Sequence, residues 1–303
     1  MITDNTIGEE EDISRLVRVS FASRESHELS QLPTPLAKVK KLRALISTAS
    51  EFIDNSYGFT PDVALPDRVN SSNSLKELGF LNCGLNSCLD LRGFNSLRML
   101  LILFLKSQEC VSGIEHIINK KSGMEYLPKL ETLEIGSFSE DLEPFPFPGA
   151  NIEGGGGNYF PSLCELTLRG GGKLKCLPDQ IQYITSLRCL RINVFNSLVA
   201  LPEWLGNLTS LRELVICDCE NVKYLPSQEQ MLRLTSLRKL SIHFCQVLID
   251  RCKQGGEEAY KISPEVRHQT LSFDGCFLFR NQNIACTDLY EIFISVFKIE
   301  VNY

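Results

Sequence analysis

The chain has 303 residues, 43% hydrophobic and 22% charged, with a net charge of −6 from 31 basic and 37 acidic residues. A chain of this composition folds. Its charge balance argues against a nucleic-acid binder that relies on a general positive field, because neutralising phosphates takes clustered Lys and Arg. No stretch reaches the ~18 continuous apolar residues of a membrane-crossing helix, so neither nucleic acid nor membrane is an expected partner.

Residues 1–12 read MITDNTIGEEED. They are acidic where a secretory signal has a basic start and an apolar run, and a flexible leader on a cytoplasmic protein is expected. The 12 cysteines include no CxxC pair. Reduced, mostly buried thiols follow, with no disulfide framework and no metal site. Sequons at Asn70 and Asn207 do not outweigh the missing signal.

From residue 13 one pattern recurs, L-x-x-L-x-L-x-x-[N/C], with other apolar residues allowed at the Leu positions. Weak copies at Leu16, Val19 and Phe21 and at Leu42 and Leu45 open the series. Leu75, Leu78, Phe80 and Cys83 follow, then Leu97, Leu100, Ile102 and Leu105, then Leu130, Leu133, Ile135 and Phe138. Residues 144–157, PFPFPGANIEGGGG, interrupt it and read as a flexible insert. The clearest copies come next: Leu163, Leu166 and Leu168; Leu187, Leu190 and Ile192; Leu211, Leu214, Ile216 and Cys219; Leu237, Leu240, Ile242 and Cys245. A doubtful copy at Leu271, Phe273 and Cys276 closes the array. From Leu75 to Leu237 the copies begin 22 to 33 residues apart. In the tail, 277–303, Leu289, Ile292, Phe293, Val296 and Phe297 fall at helical spacing. They would make a cap on the last repeat; the other reading is non-repeat sequence carried past the end of the array.

The spacing has a physical reason. Motif positions four and six alternate with their neighbours at the period of a strand, so their side chains point inward and the residues between them point outward. No single repeat buries its own apolar side, so stability needs the stack. Position nine turns the chain back toward the core, where Cys83, Cys219 and Cys245 serve as small apolar residues. The return half is marked by Leu174-x-x-Leu177-Pro178, Leu198-x-x-Leu201-Pro202 and Val222-x-x-Leu225-Pro226. Proline cannot donate to a ladder, so no strand resumes there. Short helical turns are expected instead, with Leu205 and Leu208 inward and Trp204 half-buried on the outer side.

This pattern resembles the leucine-rich repeat. The fold class implied is an α/β repeat solenoid spanning residues 13–276, a horseshoe with a parallel sheet on the concave side and irregular or short-helical structure on the convex side. Gly170-Gly171-Gly172-Lys173 lacks the G-x-x-x-x-G-K-[ST] spacing of a phosphate loop. His27, His116, His243 and His268 are scattered, and no nucleophile motif appears. No enzyme activity, cofactor or metal is expected.

The stretches Leu177-Pro-Asp-Gln-Ile-Gln-Tyr-Ile-Thr-Ser-Leu-Arg-Cys-Leu and Leu201-Pro-Glu-Trp-Leu-Gly-Asn-Leu-Thr-Ser-Leu-Arg-Glu-Leu-Val-Ile-Cys-Asp-Cys are similar to repeats of plant intracellular immune receptors. That family comprises the coiled-coil, nucleotide-binding, leucine-rich-repeat disease-resistance proteins. Ser14 to Phe21, Leu32-Pro33 and Leu42-Arg-Ala-Leu45 resemble its first repeats. The resemblance covers roughly residues 13–250. It implies a recognition module in plant defence whose partners are a pathogen effector or a guarded host protein, and a nucleotide-binding domain held inactive. No such domain lies in this sequence, which reads as a receptor's sensor end. The alternative is a stand-alone intracellular signalling scaffold of the Ras-pathway kind. The outward positions of the motif give the candidate partner-binding surface. In the later repeats it is polar: Glu165, Thr167 and Arg169, then Arg191 and Asn193, then Glu213, then Lys239, Ser241 and His243. In the earlier ones it is apolar: Ala44, Ile46 and Leu81, then Met99, Leu101 and Leu103. An exposed apolar patch often marks a docking surface. On one reading the apolar end faces the nucleotide-binding domain, and the polar end, with Arg191 as anchor, the specific ligand; on the other the polar columns are ordinary solvated surface and the apolar ones are covered by a loop or belong to a shifted register.

Overall fold

Parallel strands hold the chain together, one per repeat, each set by the alternation at motif positions three to seven. They are β1 (Arg18–Ser23), β2 (Ala44–Ala49), β3 (Glu77–Leu81), β4 (Met99–Leu103), β5 (Thr132–Gly136), β6 (Glu165–Arg169), β7 (Cys189–Asn193), β8 (Glu213–Cys217), β9 (Lys239–His243) and β10 (Leu271–Ser272). The structure is a computed structural model. It describes residues 160–264 and 266, the stretches 75–81, 91, 94–103, 127–137, 143, 145 and 147, and the strand backbones 18–23, 44–49 and 271–272. The ten strands form one sheet in sequence order, every neighbouring pair parallel.

The register aligns like with like. Leu100, Leu133, Leu166, Leu190, Leu214 and Leu240 form one row, and Ile102, Ile135, Leu168, Ile192, Ile216 and Ile242 form the next. All twelve are fully buried, as the inward positions require. Each packs on its counterpart roughly 4.8 Å above and below, the spacing of hydrogen-bonded strands.

Just past the strand the backbone turns through a left-handed residue: Ser137, Val194, Asp218 and Phe244 have φ of 55°, 59°, 51° and 50°. This conformation is costly for a branched side chain such as Val194. It lets each N–H keep a ladder bond: Ser137 N–H donates to Arg169 O at 2.9 Å, Val194 N–H to Cys217 O at 3.0 Å and Asp218 N–H to His243 O at 3.1 Å. Position nine then enters the core. Cys219 and Cys245 are fully buried. Their thiols donate to Ile192 O at 3.7 Å and Ile216 O at 3.8 Å, and Cys219 N–H donates to Cys245 Sγ at 3.2 Å. Cys83 lies outside the described residues.

The insert at 144–157 corrects the sequence reading in part. Phe145 and Phe147, expected in a flexible loop, are buried in the core. Gly171 leaves position nine of its repeat without a side chain. Phe195 lies against Gly170, where a Cβ would come within 2.6 Å of the ring. Phe145 stacks on Phe195 with centroids 5.8 Å apart, and Phe147 meets Phe160 edge-on at 6.3 Å.

On the convex side, 3₁₀ turns at Asp179–Tyr183 and Glu203–Asn207 start directly after Pro178 and Pro202. Helix α1 (Gln228–Arg233) is capped by Ser227 after Pro226, and α2 (Gln246–Cys252) follows Cys245. Each repeat is tied to the next: Trp204 Nε1 donates to Asp179 Oδ1 at 2.8 Å, and Ser227 N–H and Oγ donate to the Glu203 carboxylate at 2.9 and 2.6 Å. Trp204 is half-buried against the core. Gly206 permits the close approach of α1, since a Cβ there would meet Gln230 O at 2.9 Å. The tail 277–303 and its expected cap lie outside the described residues. A different capping device sits earlier. Leu201 N–H donates to Tyr224 O of the next repeat at 2.9 Å, but the equivalent Leu225 N–H donates to the buried Glu258 carboxylate at 2.8 Å.

Candidate interaction surface

Three columns of side chains cross the concave face in register. The first holds Met99, Thr132, Glu165, Cys189, Glu213 and Lys239. The second holds Leu101, Glu134, Thr167, Arg191, Val215 and Ser241, and the third Leu103, Gly136, Arg169, Asn193, Cys217 and His243. Of the expected site residues, Glu165 and Lys239 are exposed, and Met99, Arg191, Glu213 and His243 are half-buried. Thr167, Arg169, Asn193 and Ser241 are buried. The side chains of Ala44, Ile46 and Leu81 lie outside the described residues.

Of the two readings of the apolar end, an exposed patch or covered positions, the exposed patch is not what Leu101 and Leu103 form: they are 3% and 2% exposed. Alternation aims a side chain at the concave face. It does not decide how much the adjoining columns and turns cover it.

Charges on the accessible part pair across neighbouring strands. Lys239 Nζ lies 2.7 Å from Glu213 Oε1, and Arg191 lies 3.6 Å from Glu165 Oε2. Such exposed pairs contribute little to stability. Deeper in, Arg169 Nε donates to Glu134 Oε1 at 2.7 Å with both side chains almost wholly buried. Gly136 stands opposite Arg169, and a Cβ there would collide with the Arg169 backbone, within 1.9 Å of its carbonyl oxygen. The outward positions picked out from the sequence omit Glu134, Cys189, Val215 and Cys217, although these occupy the same motif offsets and were legible by the same spacing.

Cys189 is the one thiol of the first column, and burial, reinforced by Glu213 and Glu165 against the opposing Arg191, pushes its pKa up to about 12. A thiol held protonated is a poor nucleophile. Asp218 is raised by burial in spite of the Cys217 hydrogen bond and the positive charge of Arg169. Among the described residues no group of three His, Cys, Asp or Glu side chains has the arrangement to hold a metal ion, and no helix is long and apolar enough to cross a membrane.

The profile of the R13L1/DRL21 leucine-rich repeats matches residues 179–245. That stretch contains β7 to β9 and the convex turns between them. The fold is a leucine-rich-repeat solenoid. Among solved structures, the chain is similar to the leucine-rich-repeat domain of the type III effector XopL, with 21% identity, a TM-score of 0.43 and 75% of each chain covered. It is also similar to internalin C2 of Listeria monocytogenes, with 12% identity, a TM-score of 0.38, and 69% of this chain and 74% of that one covered. A leucine-rich-repeat protein of Leptospira interrogans aligns at 14% identity and a TM-score of 0.37, over 77% of this chain and 62% of that one. A search of curated proteins returns no match. Leucine-rich-repeat domains in general mediate protein–protein interaction and recognition.

Proposed function

We propose that this solenoid is the recognition module of a plant intracellular immune receptor, acting in the cytoplasm. It binds a pathogen effector or a guarded host protein through its concave face and restrains a nucleotide-binding domain. The module works by binding alone, with no catalytic step. The observation that carries the reading is the mixed-charge concave surface of β6 to β9, where Glu165, Arg191, Glu213 and Lys239 remain accessible. Paired charges of this kind favour specificity over non-specific adhesion, because a wrong partner leaves one of them unmatched. The resemblance of residues 177–190 and 201–219 to plant receptor repeats, in the stretch that the R13L1/DRL21 profile covers, supports the defence role.

The test is affinity capture from plant tissue with the folded chain, followed by cross-linking to map contacts. A captured nucleotide-binding receptor domain or effector that is released by Arg191→Glu, and retained by the convex variant Lys223→Glu, is the expected result. Capture of a small GTPase would favour the signalling-scaffold reading. A partner released only by the convex variant would overturn the assignment of the concave face.

A further inference from the structure

One column of side chains lies outside the concave surface, at motif position two, along the edge where the strands begin. Its members are stacked by an unbroken ladder. Arg98 N–H donates to Lys76 O at 2.8 Å, Glu131 N–H to Arg98 O at 2.8 Å and Cys164 N–H to Glu131 O at 2.9 Å. Arg188 N–H then donates to Cys164 O at 2.8 Å, Arg212 N–H to Arg188 O at 2.7 Å and Arg238 N–H to Arg212 O at 2.9 Å. The last three places in the column are therefore arginines one strand apart, roughly 4.8 Å per step. All three are exposed.

The column contains its own control. Where a carboxylate occupies the next step, the arginine takes it: Arg98 lies 3.1 Å from Glu131 Oε1. Among the described residues, Arg188, Arg212 and Arg238 have no such neighbour. The carboxylates of the adjoining column are engaged there, Glu213 with Lys239 and Glu165 with Arg191. On the other side stand Ser186, Ser210 and Ser236, which carry no charge. Like charges on neighbouring strands repel. On a chain whose net charge is −6, three guanidinium groups in a row form a local basic strip without a carboxylate partner among the described residues.

We propose that the Arg188–Arg212–Arg238 ladder is a docking strip for an acidic helix of a partner protein, separate from the concave surface. The spacing selects the helix. Two ladder steps span about 9.6 Å, and residues i and i+7 on one helix face are about 10.5 Å apart. Carboxylates at i, i+4 and i+7 thus meet the three arginines in order. Alternate residues of an extended peptide spread three carboxylates over about 13–14 Å and drift out of step. Planar guanidinium groups grip carboxylates in two-bonded pairs, which rewards this match.

A fluorescein-labelled helical peptide of alanine and glutamine, carrying Glu at i, i+4 and i+7, is titrated into the full chain and followed by anisotropy at low and high salt. The expected result is saturable binding that weakens with salt and falls about tenfold in the triple variant R188Q/R212Q/R238Q and about threefold in Arg212→Gln. Lys223→Gln, on the return side of the solenoid, leaves it unchanged. Circular dichroism checks that the exposed substitutions keep the fold. Equal affinity for a peptide with Gln in place of Glu, or equal affinity of wild type and triple variant, overturns the proposal. So does displacement of the peptide from the same arginines by a single-stranded oligonucleotide at lower concentration, which would make the strip a phosphate site.

Discussion

Glu258→Ala removes the carboxylate that takes the place of a backbone carbonyl of the next repeat as acceptor for Leu225 N–H. Glu258 is 3% exposed. Its Oε2 accepts Leu225 N–H at 2.8 Å and Lys261 Nζ at 2.8 Å, and Arg251 lies 3.9 Å from Oε1. Deleting one partner of a buried pair costs about 3–5 kcal/mol, and an orphaned buried N–H about 1–3 kcal/mol. These overlap, because both measure the same lost carboxylate. Lys261 Nζ also keeps its bond to Leu225 O at 3.2 Å, so the ammonium is not stranded. The expectation therefore sits near the low end, about 3 kcal/mol. Urea unfolding measures the loss, and hydrogen exchange at the Leu225 amide localises it. Replacing both partners, Glu258→Leu with Lys261→Met, should cost less than Glu258→Ala alone, because no buried charge is left unpaired. A loss under about 1 kcal/mol, with the Leu225 amide still protected, would show that Glu258 is not the cap.

Leu214→Ala, at the centre of the inner row between Leu190 and Leu240, should lower stability by about 2–5 kcal/mol in the same assay, and a negligible change would contradict the register. Cysteine labelling followed by peptide mapping should modify the exposed Cys176 in the native state and reach the buried Cys219 and Cys245 only on unfolding; early labelling of both would remove them from the core. Asp218 is raised by burial, so the folded state holds its proton more tightly than the unfolded chain does, and ionisation destabilises the fold at neutral pH. That penalty lifts as pH falls through the folded-state pKa. Asp218→Asn, which tolerates the left-handed backbone at φ 51°, should raise Tm at neutral pH and lose its advantage in acid; a variant less stable than wild type at neutral pH would refute the assignment.

The strands were legible because their signal is periodic and local. Leu190, Ile192, Leu214, Ile216, Leu240 and Ile242 repeat at fixed offsets, and only stacking buries them all. The proline turns were legible for the same reason: Pro178 and Pro202 each stand at the start of a 3₁₀ turn. Phe145 and Phe147 were not, because a Pro-rich stretch reads as loop by composition. Its packing depends on partners in other repeats, Phe195 and Phe160, that no window around residue 145 contains. Glu258 was hidden likewise. It accepts from Leu225 N–H where the preceding repeat uses a backbone carbonyl, and it lies 33 residues from Leu225 along the chain.

The surface was harder to read than the core, and for a definite reason. Motif offsets give the direction of a side chain, whereas accessibility depends on the side chains one strand away. Arg169 and Glu165 share a strand and both point outward, yet Arg169 is buried on Glu134 and Glu165 is exposed. The neighbours differ: Arg169 finds the Glu134 carboxylate on the next strand, while Thr132 and Cys189 flank Glu165. The same rule acts at position two of the motif. Arg98 finds Glu131 one step along and is paired, while Arg188, Arg212 and Arg238 find only one another. Exposure and charge on such a sheet are therefore properties of columns across repeats. A sequence laid out as a grid, one repeat per row, would have shown both the Glu134–Arg169 diagonal and the arginine ladder, where reading along the chain showed neither.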